Sequence, residues 1–403
     1  MDTEKLRQEA IELRKEKHQM IKTELNAELN DGHDLAIVYT PGVSAPCLAI
    51  KDDEDLSLTM TWRGNVVAVI SDGTRVLGLG DIGAAASMPV MEGKSALYKK
   101  FGNIDAIPIV LDTKDKDEFI HTVKLLEKNF AGINLEDISS PKCYDIEGEL
   151  KKIMNIPVFH DDQHGTAIAA LAALLGALKV VNKKIEDIKV VINGAGAAGT
   201  AIAKLLLEDG IKAENMTILN SKGILFDNGK RDRVQMELIK KTNPENKQGT
   251  FADAVKGADV LIGCSAPGVF NNDALKTMAD KSIVFAMANP VPEIMYEEAE
   301  EKGVYIYGSG RSDMPNQVNN SSVFPGLFRG ALDVRARQIN EEMKLAAAHA
   351  LADLATQCTL DPKHVVVDVF DKRVPHVVAK AVAEAAIKTG VARATELPAQ
   401  YKD

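Results

Sequence analysis

The sequence predicts an α/β protein in three parts: an N-terminal α/β domain over residues 1–164, a doubly wound parallel sheet over 165–330, and helices over 331–403 packing on both. Two observations carry this. Short runs rich in Val, Ile and Leu recur between helix-compatible segments, as in parallel sheets covered on both faces. A glycine-rich turn, Gly194-Ala195-Gly196-Ala197-Ala198-Gly199, falls directly between one such run and a helical stretch. The 403 residues, 45% of them hydrophobic, suffice for more than one core and exclude disordered and fibrous classes.

The elements follow in order. Residues 3–29 carry Leu6, Ala10, Leu13, Ile21 and Leu25 at mostly helical spacing, predicting an amphipathic helix that covers a core or a partner subunit. Runs at 66–70, 106–111, 132–135 and 156–159 read as strands, with a helix over 115–129 among them. The longest apolar stretch, 167–178, is Ala-rich and reads as a buried helix, too short to cross a bilayer. Strands are expected again at 189–192, 217–219, 260–262, 283–286 and 304–307, and helices at 200–207, 331–356 and 375–389. No repeat or low-complexity tract interrupts the pattern.

The formal charge of -10 argues against a nucleic-acid footprint or an anionic membrane surface. Cys47, Cys143, Cys264 and Cys358 lack the spacing of a disulfide framework or a thiolate zinc site. The charged N-terminus has no apolar signal segment, so a cytoplasmic location is expected.

Strand, glycine turn and helix together point to a dinucleotide site. Glycines admit a tight turn and close approach of backbone to pyrophosphate, and the helix N-terminus attracts its charge. The second strand of this unit ends in Asn220-Ser221-Lys222, without the acid that grips an NAD ribose. Asn220 can bond ribose hydroxyls, while Ser221 and Lys222 can meet a 2′-phosphate, so the cofactor is left open between NAD and NADP.

In the first domain, Glu136-Asp137 and Asp161-Asp162 follow predicted strands. Ligands gather at the carboxyl ends of parallel strands, and converging carboxylates suit Mg²⁺ or Mn²⁺, although such acids also serve as helix caps and solvated loops. Lys94 is either a surface lysine or a base freed of its proton by burial. Tyr39 is a packed aromatic or a proton donor, and Arg75 a surface charge or a carboxylate clamp. Asn289, Asn319 and Asn320 are turn residues unless they converge on the ligand edge. His33, His160 and His164 lack zinc-motif spacing and read as supporting polar groups.

Several stretches recur together: Tyr39-Thr40-Pro41-Gly42-Val43, Gly78-Leu79-Gly80-Asp81-Ile82-Gly83, Met91-Glu92-Gly93-Lys94, Ile133-Asn134-Leu135-Glu136-Asp137 and His160-Asp161-Asp162-Gln163-His164-Gly165-Thr166-Ala167. With Gly194 to Gly199, Ala288-Asn289-Pro290 and Asn319-Asn320, they resemble malic enzymes of the shorter bacterial type over nearly the whole chain. The resemblance implies a malic-enzyme catalytic domain followed by a Rossmann-type NAD(P)-binding domain. It also implies a divalent metal, Mg²⁺ or Mn²⁺, held by Glu136, Asp137 and Asp162, with Lys94 as base assisted by Asp161 and Tyr39 as acid. Arg75, Asn289 and Asn320 would bind substrate carboxylates. The turn Gly194, Ala195, Gly196, Ala197, Ala198, Gly199, with Asn220 and Asn289, would hold the cofactor.

The implied reaction is oxidative decarboxylation of L-malate to pyruvate and CO2 with reduction of NAD, NADP remaining open. The alternative is decarboxylation of oxaloacetate by the same metal, Lys94 and Tyr39 without net redox. A homo-oligomer is implied, a dimer being favoured, in which the Tyr39 region can complete the partner's site. Malate, oxaloacetate and pyruvate are the expected small-molecule partners, with no nucleic acid and no membrane.

Overall fold

Ten strands form two sheets in a computed structural model that describes residues 3–270 and 273–402. The first sheet comprises β1 (Val66–Ser71), β2 (Asp105–Val110), β3 (Gly132–Leu135) and β4 (Val158–His160), all parallel, in the order β2-β1-β3-β4. Val66–Ser71 is buried at every position, which is why five apolar residues, four of them β-branched, run without alternation, whereas the edge strand β2 is largely half-buried.

The second sheet comprises β5 (Val190–Asn193), β6 (Met216–Asn220), β7 (Gly223–Ile224), β8 (Val260–Gly263), β9 (Ile283–Ala286) and β10 (Ile306–Ser309). Its order is β10-β9-β8-β5-β6-β7, parallel except for β7, which doubles back on β6. The chain leaves β5 in one direction for β6 and resumes at β8 on the other side, so a crevice opens beyond the carboxyl ends of β5 and β8. Strand β7 was not expected: two residues are too few for any periodicity to register.

The helix Asp161–Val181 joins the sheets without a linker, so residue 165, the expected boundary, lies inside an element. It is apolar on nearly every face and packs into the main core between the sheets. It is the one described helix long and apolar enough to cross a bilayer, and 72% of that apolar stretch is buried within the protein.

Two expected helices differ from prediction. The first stops at Lys17, where His18 turns left-handed (φ 64), and 18–31 is irregular. The expected 331–356 helix is two, Phe324–Asp333 and Glu341–Thr356. Arg335 adopts φ 50 between them, and the Asn340 side chain accepts from the Met343 N–H to start the second. Phe324–Asp333 packs on Ala84–Gly102, so the C-terminal helices brace the first sheet as well as the second.

Candidate active site

Parallel strands deliver their loops to one edge, and at the carboxyl edge of the first sheet the acids converge. Glu136 and Asp137 follow β3, while Asp161 and Asp162 form the first turn of the helix after β4. Oxygens of Glu136, Asp137 and Asp162 lie within 4.8 Å of one another. The Asp137 N–H donates to Asp162 Oδ2 at 2.8 Å, and Asp137 itself holds a left-handed φ of 55, a conformation aspartate tolerates better than most residues.

Lys94 reaches this edge from the helix Ala84–Gly102. Its ammonium is buried between Glu136, at 2.6 Å, and Asp161, with the Phe324 ring 4.6 Å beneath it. Asn320 Nδ2 donates to the same Asp161 oxygen, Oδ2, at 2.5 Å. Gly165, one helical turn beyond Asp161, makes room for that carboxylate: a Cβ there would lie 1.8 Å from Asp161 Oδ1.

Burial pulls down on the Lys94 ammonium, but Asp161 and Glu136 outweigh it and raise Lys94 well above its ordinary range. Two carboxylates therefore stand against the desolvation that would strip its proton. The acids bear the cost. Burial raises Asp161 to about 7 against the pull of Lys94, and burial with Asp162 and Glu136 raises Asp137 to about 9. Glu136 and Asp162 shift upward too, chiefly through burial. Asp137 Oδ2 is buried without a hydrogen-bond partner. An all-oxygen donor set with surplus negative charge and an unused buried oxygen fits a hard divalent cation.

Not every candidate joins the cluster. Tyr39 caps the helix Gly32–Val38 and is 67% exposed, and among the described residues its side chain makes no hydrogen bond to the acids. Arg75 lies at the site through its backbone, whose N–H donates to the Asp137 carbonyl at 2.9 Å, while its side chain is exposed. Asn289 lies in the loop after β9 and packs over Gly310. That loop meets the first domain: a Cβ at Gly78 would lie 3.1 Å from the Asn289 carbonyl oxygen and 3.2 Å from Pro290 Cδ. With the Asn320–Asp161 bond, this turns the carboxyl edges of the two sheets toward each other.

The glycine turn follows β5 as expected. Gly194 has φ 134, and a Cβ at Gly199 would lie 1.8 Å from the Gly194 carbonyl oxygen, so both positions require glycine. The helix Ala197–Glu208 starts there with no side-chain cap, leaving its first N–H groups for an anion. Asn220 Oδ1 accepts from the Lys222 N–H at 2.8 Å, closing a turn at the end of β6.

Sequence reasoning missed several supporting residues. Asn134 links Tyr98 and Glu136, through bonds of 2.8 Å each. Glu147 is buried behind the acid pair, accepting from the His160 N–H at 3.2 Å and pairing with His164 at 2.8 Å and Lys151 at 2.7 Å. Glu293, fully buried, braces the ends of β8 and β9 through the Ser265 and Ala288 N–H groups. The available signal was a polar residue inside an apolar run, visible for Asn134 and for Glu293, between Pro292 and Ile294, and absent for Glu147.

Two family models cover most of the chain: one described as the malic enzyme N-terminal domain matches residues 15–118, and one described as the malic enzyme NAD-binding domain matches 163–387. The chain is 51% identical over 401 residues to the bifunctional malic/malolactic enzyme of Bacillus subtilis, covering 99% of this chain and 97% of that protein. It is 52% identical over 379 residues to the NAD-dependent malic enzyme of Geobacillus stearothermophilus, covering 94% and 79% respectively. Among solved structures, malic enzyme from Pyrococcus horikoshii superposes with a TM-score of 0.91 at 45% identity, over 96% of this chain and 92% of that one.

Proposed function

The chain belongs to the malic enzyme family, and on that premise we infer that its site carries out oxidative decarboxylation of L-malate to pyruvate and CO2 with reduction of a nicotinamide dinucleotide. The observation that carries this reading is the buried Lys94 ammonium held by Asp161 and Glu136 beside three converging carboxylates, in a chain that also carries the glycine turn. The redox-free alternative, oxaloacetate decarboxylation alone, is not favoured, since the chain retains a complete dinucleotide turn and its relatives are named malic enzymes.

Glu136, Asp137 and Asp162 would hold Mg²⁺ or Mn²⁺. When bound, the cation supplies Lewis-acid polarisation of oxygen at the reacting carbon. The remaining chemistry belongs to the chain. Lys94 Nζ accepts the C2 hydroxyl proton as hydride leaves C2 for nicotinamide, and Asp161, hydrogen-bonded to the same nitrogen, is the group that first relieves Lys94 of its own proton. Asn320 fixes the Asp161 carboxylate and, with Asn289 and Arg75, presents donors to the substrate carboxylates.

Tyr39 is assigned protonation of C3 after CO2 departs, and its exposure supports delivery from a second copy. The helices Gly32–Val38 and Ser44–Asp52 bury no residue, while Leu35 is 51%, Ile37 60% and Leu48 60% exposed. Such an apolar surface is accounted for by a homodimer in which this segment closes the partner's site. NAD is the assigned cofactor, with the Asn220 amide retaining donors for ribose hydroxyls.

One assay tests the reading: malate or oxaloacetate against NAD or NADP, with Mn²⁺ present. Reduced NAD and pyruvate from malate are expected. Pyruvate from oxaloacetate with no dinucleotide reduced from malate would overturn the redox assignment.

A further inference from the structure

Away from the acid cluster, a cleft of about 510 Å³ runs between the helix Lys142–Ile153 of the first domain and the helices Ala197–Glu208 and Arg233–Thr242 of the second. None of Lys94, Glu136, Asp137, Asp161 or Asp162 lines it. A buried hydrogen bond of 3.1 Å between Tyr144 and Thr200 spans the two domains along its wall, at the end nearer the glycine turn. Its size falls in the ordinary range of small-molecule sites, and Ala167 and Leu205 give it an apolar floor.

The charges lining the cleft are unevenly used. Glu147 is engaged by the His160 N–H, His164 and Lys151; Glu237 is shared by Lys204 and Arg233; Glu341 pairs with Lys344. Lys241 has no acidic partner among the described residues, and Glu208, exposed at the rim, is the one lining acid with no cation partner there. Each of these three carboxylates thus already faces at least one cation, whereas every lysine and arginine keeps N–H groups to donate. At the floor, Lys344 is only 2% exposed, and burial together with Lys151 pulls its ammonium down despite Glu341 and Glu147. Five cationic side chains, Lys151, Lys204, Arg233, Lys241 and Lys344, line the cleft against four carboxylates.

We propose that this cleft binds a small organic anion, a phosphate ester or a polycarboxylate, whose oxygens are held by Lys344 and Lys151 on one wall and by Arg233 and Lys241 on the other. Such a ligand bridges the two domains. Its wall also contains Glu147 and His164, which hold the turn carrying Asp161 and Asp162, so occupancy bears on the acid pair.

Isothermal titration calorimetry at constant ionic strength, on protein treated with EDTA and then dialysed free of the chelator so that no titrant is held through a divalent cation, tests this with glycerol 3-phosphate and with citrate. Saturable binding of either is expected, and the one that binds identifies the source of the anion. The rim double variant Arg233→Met/Lys241→Met removes two exposed side chains and folds normally. It should bind roughly tenfold or more weakly, through lost charge-assisted contacts, with an unchanged kcat. Lys94→Met should bind as the wild type does. The proposal is overturned if neither titrant binds, if the rim variant binds as tightly as the wild type, or if only Lys94→Met loses binding, which would place the anion in the acid cluster. The binding measurement does not depend on malate turnover, so it stands or falls separately from the reaction assignment.

Discussion

Gly165→Ala separates positioning chemistry from fold stability. The added Cβ would lie 1.8 Å from Asp161 Oδ1, so to recover an ordinary 3.4 Å contact the oxygen has to withdraw by about 1.6 Å. The carboxylate has to turn or shift as a unit, which disturbs the two charge-assisted bonds at its other oxygen, Oδ2, to Lys94 and Asn320, worth about 1.5–3 kcal/mol each. Against this, Gly to Ala inside a helix gains about 1 kcal/mol, so the net destabilisation is about 2–5 kcal/mol. Displacing a reacting group by about 1 Å costs on the order of a hundredfold in rate, and kcat with malate, NAD and Mn²⁺ should fall by that much. Gly148→Ala is the control: its Cβ meets nothing within 4 Å, so it should leave kcat unchanged and raise the melting temperature slightly. Steady-state formation of reduced nicotinamide and circular-dichroism melts measure both. Wild-type kcat in Gly165→Ala would refute the argument, because Asp161 could then move without consequence for Lys94.

Lys94→Met should reduce kcat by roughly a hundredfold or more. It should also destabilise the fold by about 3–5 kcal/mol, since Asp161 and Glu136 lose the buried cation between them; a near-normal rate removes Lys94 from the chemistry. In EDTA, Asp161 at about 7 and Asp137 at about 9 keep protons that the unfolded chain releases near its ordinary value of 3.8. Their contribution to stability is therefore present at low pH and lost as pH rises between those values, so the melting temperature should decline from about pH 5 to 9. Mn²⁺ should restore it most at the alkaline end, and identical curves with and without Mn²⁺ would count against a cation at Glu136, Asp137 and Asp162. Tyr39→Phe and Lys94→Ala should each be nearly inactive alone. Refolded together they should recover about a quarter of wild-type activity if Tyr39 serves the partner's site, by statistical pairing of subunits, and none if it serves its own.

Much of the acid site was legible because it depends on local order. Parallel strands joined by helices must present their following residues at one edge, so Glu136-Asp137 and Asp161-Asp162 were bound to approach one another once both runs were read as strands. The glycine turn was legible for the same reason: Gly199 is required by an atom five residues earlier, the Gly194 carbonyl. Glu147 and Glu293 were not legible, since each is an acid that acquires meaning only from the N–H groups that folding brings to it, at His160 for the first and at Ser265 and Ala288 for the second.

By itself, then, the sequence determined the two sheets, the carboxyl edge on which the acids gather and the turn that admits a dinucleotide, all consequences of strand period, chain handedness and the space a missing Cβ leaves. Only the tertiary structure decided that Lys94 is buried between two carboxylates from distant segments, so that burial and those charges act on its ammonium in opposite directions. It likewise decided that Tyr39 stands in the open, away from its own acid cluster, and that a cleft lined by Lys344, Lys151, Arg233 and Lys241 lies between the domains. Spacing along a chain specifies which face a residue takes; it does not specify which remote groups will share that space.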